Sequence, residues 1–241
     1  MEPSQTAHEI ARPMNDLGGR FMLTGRTYAA GNERGFAGLD FYFCGRAGVL
    51  GDVDASTVVQ ELGFFEPRNV EALWASGGKV MDRDAAAALF MECGYDWARA
   101  RLPKEVPAGK FAELVRVAID ASSEDQPALF QGWRNTPWPE DDTARAMHAI
   151  HLLRELRGGH HVRAIRSVGL EPHVAVVVAG GDGNAEFFGW PEPHPDPDGF
   201  RELWNRAEEE TNAGVSGVLD ALDDEQRVEL CGLARSLTPK S

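Results

Sequence analysis

Residues 140–159 constrain the fold more than any other stretch of this chain. Glu140, Asp141, Asp142 and Thr143 put acidic and capping residues where a helix N-terminus favours them, just after Pro137 and Pro139. Ala146, Met147, Ile150, Leu153 and Leu156 then recur at helical spacing. At about 100° per residue, His148, His151 and Glu155 fall inside one narrow arc, and most of the remaining surface is apolar. A helix that is apolar nearly all round is usually buried. Other helices must therefore surround it, and its polar stripe must find partners inside the fold, because unpaired buried polar groups are costly. Gly158-Gly159 predicts its C-terminal end.

The flanking sequence supplies such helices. Residues 1–16 are polar and read as a flexible, frayed N-terminus, with one α-helical domain over 17–241. Phe36 onward predicts a buried helix ending near Gly45 or Ala47, with Cys44 as a buried thiol. Asp54 is placed to cap a helix running through Val58, Val59 and Leu62, and Pro67 starts a shorter one closed by Gly77-Gly78. The alanine-rich run 82–102 and the segment 110–121 predict two amphipathic helices. Residues 126–139 read as irregular. His161 to Val168 reads as a short helix, and 200–222 and 224–237 as two closing ones. Pro172 to Val178 has strand-favouring valines, but Pro172 at a first turn and the lack of a partner strand favour helix. Residues 180–199 read as a loop rich in tryptophan and proline. The expectation is an all-α fold of about eight helices.

Of the 241 residues, 24 are Lys or Arg and 38 are Asp or Glu, a formal charge of −14. That field opposes nucleic acid and anionic membrane, so neither is expected as a partner. Cys44, Cys93 and Cys231 are far apart and form neither a disulfide framework nor a structural zinc site. With no signal-like N-terminus and no run long enough to span a bilayer, the expected location is the cytoplasm. The oligomeric state is left open.

Two constellations carry candidate chemistry. Arg154-Glu155-Leu156-Arg157-Gly158-Gly159-His160-His161 gathers arginines, a carboxylate and imidazoles around the expected helix break. Glu155 and His161 are the candidate acid–base residues, and Arg154 and Arg157, together with Arg46 and Asp52, the candidate ligand holders. His148, His151 and Glu155 offer metal ligands at spacings of three and four. Without a His-Glu-x-x-His motif or a second ligand-bearing helix, no metal is expected. The second constellation is Gly45-Arg46-Ala47-Gly48-Val49-Leu50-Gly51-Asp52. It lacks the features of a phosphate loop, and no cofactor is expected. Arg46, in apolar company, needs a carboxylate or a ligand, and Asp52 is the nearest candidate. Helix ends free backbone groups, so Arg46, Glu155, Arg157 and His161, each beside an expected break, are expected to converge.

Three blocks also resemble an actinobacterial family of SalK-like proteins that carries a helix-turn-helix label. They are Phe41 to Asp52 followed by Phe64-Phe65-Glu66-Pro67; Leu153 to His161; and Phe188-Gly189-Trp190-Pro191-Glu192-Pro193 with the later Glu210-Thr211. The family pattern matches Gly45, Arg46, Gly48, Gly51, Arg154, Glu155, Arg157, Gly158 and His161. The resemblance implies DNA binding through a winged segment after the Gly-Trp, which a short proline loop replaces here, and a place in specialised metabolism. The favoured reading is a cytosolic small-molecule-binding protein or accessory enzyme with an Arg/Glu/His site. A transcriptional regulator is the alternative, followed by a non-catalytic interaction protein.

Overall fold

The computed structural model describes residues 1–238, which hold thirteen α-helices, one 3-10 turn and no strand. In order they are α1 (Pro3–Arg20), α2 (Gly25–Asn32), α3 (Asp40–Ala47), the 3-10 turn Gly48–Leu50, α4 (Ala55–Glu61), α5 (Pro67–Gly77), α6 (Arg83–Arg101) and α7 (Ala108–Asp120). They continue with α8 (Ala128–Arg134), α9 (Asp142–Ser167), α10 (Pro172–Gly180), α11 (Asp182–Phe187), α12 (Arg201–Leu219) and α13 (Asp224–Ser236). Helix α9 is the axis, packed by α1, α6, α7, α8 and α12. Ala144, Ala146, Met147, Ile150, Leu152 and Leu156 are buried along it, as an all-round apolar helix requires. Asp141 caps its start by accepting from the Ala144 amide at 2.9 Å.

The helix count exceeds the expected eight because one long helix and several short ones occupy segments read as unstructured. Residues 3–16 lie in α1 and are not frayed: Thr6, Ala7, Ile10, Met14 and Leu17 recur on one face and are buried. Residues 126–139 contain α8, anchored by Trp133, whose indole donates to the Arg46 carbonyl at 3.0 Å. The 180–199 loop contains α11. The valine run folds as α10. Asp82 caps α6 by accepting from the Asp84 and Ala85 amides, whereas Asp54 stands at the N-cap of α4 without a side-chain bond.

The largest departure is at Gly158-Gly159, which do not end α9. The helix runs straight through them for 26 residues. Glycine inside a helix costs about 1 kcal/mol relative to alanine, which packing on several sides outweighs. Gly159 is there for space: a Cβ would collide with the Pro127 ring. No helix is long and apolar enough to cross a membrane among the described residues.

Candidate functional site

A cleft of about 760 Å³ opens between α1, α3, the α4–α5 turn, α9, the α10–α11 hairpin and α12. Arg46, Arg154, Glu155, Arg157 and His161 all line it. Continuity of α9 brings the last four together. Arg157 lies three residues after Arg154 and His161 four after Arg157, on one face with Glu155 beside Arg154, so a helix break is not what assembles them.

The deeper half centres on Glu155, whose side chain is 1% exposed. Arg46 binds it as a fork, Nε to Oε1 and Nη2 to Oε2, both at 2.9 Å. Arg46 also donates to the Tyr42 hydroxyl at 2.7 Å, and Arg154 donates to Oε1 at 2.7 Å. Burial opposes the charge on Glu155, but the two guanidiniums outweigh it and hold the pKa near 2. The stem of Arg154 lies against Gly18, where an added Cβ would come within 2.6 Å of Arg154 Cδ, and its Nε is buried without a partner. Asp52 is not the partner of Arg46. It is exposed and lies outside the cleft lining, because Gly51, at φ 74°, turns the chain outward after the 3-10 turn.

The shallower half draws on α12. Arg157 donates to Glu208 at 2.6 Å and to Asn212 Oδ1 at 2.7 Å. His161 bonds through Nδ1 to the Thr211 hydroxyl at 2.9 Å, and its Nε2 lies 3.6 Å from Glu208 Oε1. Phe64 stacks on the imidazole at 5.3 Å between centroids, and Trp204 meets it edge-on at 5.0 Å. Burial lowers the His161 pKa to about 4; Glu208 opposes the shift and Arg157 adds to it. Tyr42, Glu208, Thr211 and Asn212 were missed from sequence. Three of them repeat at spacings of three and four on α12, a signal that a search for helical polar stripes would have found.

The stripe at the start of α9 serves other ends. His148 is fully buried and its Nδ1 pairs with the Tyr95 hydroxyl at 2.8 Å. His151 is packed edge-on to Trp133 at 4.5 Å with neither nitrogen hydrogen-bonded, and burial lowers its pKa to about 3. Its nearest carboxylate, Glu155, is 4.0 Å away and already engaged by two arginines. Among the described residues, the group of His, Cys and carboxylate side chains that does come within reach of one ion is the largely exposed Glu186, Glu192 and His194.

One further contact links the cleft to the α4–α5 turn. The hairpin α10–α11 forms a cleft wall through Val176, Asn184 and Phe188. The same hairpin clasps the segment entering α5: the Glu66 amide donates to the Phe188 carbonyl at 2.9 Å, Asn69 Nδ2 to the Gly189 carbonyl at 3.0 Å, and the Trp190 indole to the Phe64 carbonyl at 2.8 Å. Trp190 in turn stacks on His173, with centroids 4.7 Å apart and planes 8° from parallel.

A family model described as a helix-turn-helix family matches residues 7–194, and the chain belongs to that family. No curated protein and no solved structure matches. Family membership overturns the expectation that nucleic acid is not a partner, since the helix-turn-helix is a DNA-docking motif. The acidic balance misled because net charge describes the whole surface, whereas docking depends on what one helix presents locally.

Proposed function

We propose that this member of the helix-turn-helix family is a ligand-responsive DNA-binding protein, with α4 and α5 as its helix-turn-helix and the cleft as its effector site. The α10–α11 hairpin carries this reading, because it is at once a wall of the cleft and the clasp on the entry to α5. Helices α4 and α5 pack against each other across Leu62–Glu66. Helix α5 turns Arg68, Asn69, Glu71, Ala72, Ala75 and Ser76 to solvent. In such motifs the second helix meets the major groove through its N-terminal residues. That is the end the hairpin holds. A small molecule seated against Phe188 and Val176 would bear on the clasp, and it can shift DNA affinity by as much as it prefers one clasp geometry over another. The resemblance to SalK-like proteins suits a small-molecule effector.

An enzyme working through Glu155 and His161 is less well supported. Glu155 is paired with two arginines and ionised far below neutrality, and His161 takes a proton only near pH 4. Neither is tuned to the operating pH, where general acid–base catalysis is most efficient.

The test is selection from a random duplex pool by the purified chain at low salt, beside an Arg68→Ala variant. Enrichment of a common site by the parent chain, weakened in the variant, is the expected result. Equal recovery by both proteins with no common site would overturn the reading.

A further inference from the structure

We infer that the cleft ligand meets His161 with a hydrogen-bond donor, an amine, amide N–H or hydroxyl, and not with an acceptor such as a carboxylate. The inference rests on the effector-site reading above and specifies its chemistry. It starts from the Thr211 hydroxyl, which has one proton to give. That proton goes to the Ala207 carbonyl one helical turn back, at 2.6 Å. Toward His161 Nδ1, at 2.9 Å, the same oxygen can only accept. The imidazole proton is therefore on Nδ1, and Nε2 presents a lone pair.

The ring is neutral at physiological pH, because burial keeps its pKa near 4 despite Glu208. No second proton stands between Nε2 and Glu208 Oε1, 3.6 Å away. The other carboxylate oxygen of Glu208 is taken by Arg157 at 2.6 Å. The cleft wall thus offers two adjacent acceptors. A group with two hydrogens, such as a primary amine or amide, can satisfy both, whereas a carboxylate placed there meets two lone pairs. Phe64 on one face and Trp204 at the edge fix the ring plane, so exchanging the two nitrogens would forfeit the Thr211 bond. The walls around this pair, Phe64, Phe188 and Val176, are apolar, which suits a donor carried on an apolar body.

The test uses protein labelled with 15N-histidine, with His161→Gln to assign the signal. At pH 7, His161 is expected as the Nδ1–H tautomer. Millimolar phenethylamine should shift its Nε2 resonance, and 3-phenylpropionate should not. A Thr211→Val variant, close in shape, should move the proton to Nε2 and weaken the amine response by about tenfold, the loss of one good hydrogen bond. An Nε2–H tautomer in the parent protein, a stronger response to the carboxylate, or no His161 response to either probe would each overturn the inference. The Trp204 indole signal separates the two levels. If it moves while His161 favours the carboxylate, only the donor assignment fails. If it is silent with both probes, the effector-site reading fails with it.

Discussion

At the deep end of the cleft, Arg46, Arg154 and Glu155 close on one another. At the shallow end, Arg157, Glu208 and His161 use similar groups and leave one of them open. The deep set matches a carboxylate at 1% exposure to two guanidiniums, one bound as a fork. Its oxygens are engaged, so its part is to tie α3 to α9. The shallow set pairs Arg157 with a carboxylate at 35% exposure and leaves His161 Nε2 without a hydrogen bond. Ionisable residues in a cleft are therefore poor guides to recognition by identity alone. An unused valence on the cleft wall, as at His161 Nε2 and unlike the buried Arg154 Nε, is what separates a candidate ligand contact from a brace.

The largest expected effect tests that division directly. Glu155→Gln strands the buried Arg46 guanidinium and the partly buried Arg154 one, and should cost roughly 3–5 kcal/mol in denaturant unfolding. Glu208→Gln, at a partly exposed pair, should cost no more than about 1 kcal/mol. Equal losses would break the comparison.

Acid should sharpen it. The imidazoles of His148, His160 and His161 have pKa values lowered from 6.5 to about 4, and His151 to about 3. The unfolded chain binds these protons first, so stability is complete above pH 6.5 and falls as pH drops toward 4. Glu155 adds a second loss below its unfolded value of 4.5, running down to about 2. Chemical denaturation from pH 7.5 to 3 should show both phases. Glu155→Gln should shrink the lower phase, to which His151 and Asp141 also contribute, and leave the upper one in place. A profile flat between pH 6.5 and 4 would contradict the burial of the imidazoles.

The smallest effect concerns the glycine pair that keeps both halves on one helix. Gly159→Ala drives a methyl into Pro127 and should cost about 1–3 kcal/mol. Gly158 has open space around it, and Gly158→Ala should stabilise α9 by about 0.5–1 kcal/mol. Opposite signs in thermal melts are expected, and destabilisation by both would mean the helix is strained there.

These glycines also mark where the sequence was legible and where it was not. The apolar residues on all sides of α9 required a helical surround, which is why the all-α class could be read. The end of α9 was misread because a glycine pair signals a cap only when nothing pays for continuing the helix; Pro127, distant in sequence, sets that condition. Arg46 called for a carboxylate or a ligand on sight, but that its partner is remote Glu155 and not nearby Asp52 depends on tertiary packing. Residues 1–16 looked frayed because α1 carries its few apolar residues on one thin stripe, Ile10, Met14 and Leu17 among them, which gains its meaning from the helices beneath. Thr211, buried on α12, was visible only as part of a motif.

The stack of Trp190 on His173 has a practical consequence. A protonated imidazole lying flat on an indole quenches its emission, and a neutral one quenches far less. His173 takes its proton below the ordinary histidine range, because burial and the neighbouring His194 both disfavour the charge. Trp190 also donates to Phe64 on the clasp, so its fluorescence senses both the local acidity and the state of that contact. The segment between the cleft and the α4–α5 turn thus carries an optical reporter, read as the difference from a Trp190→Phe variant because five other tryptophans also emit.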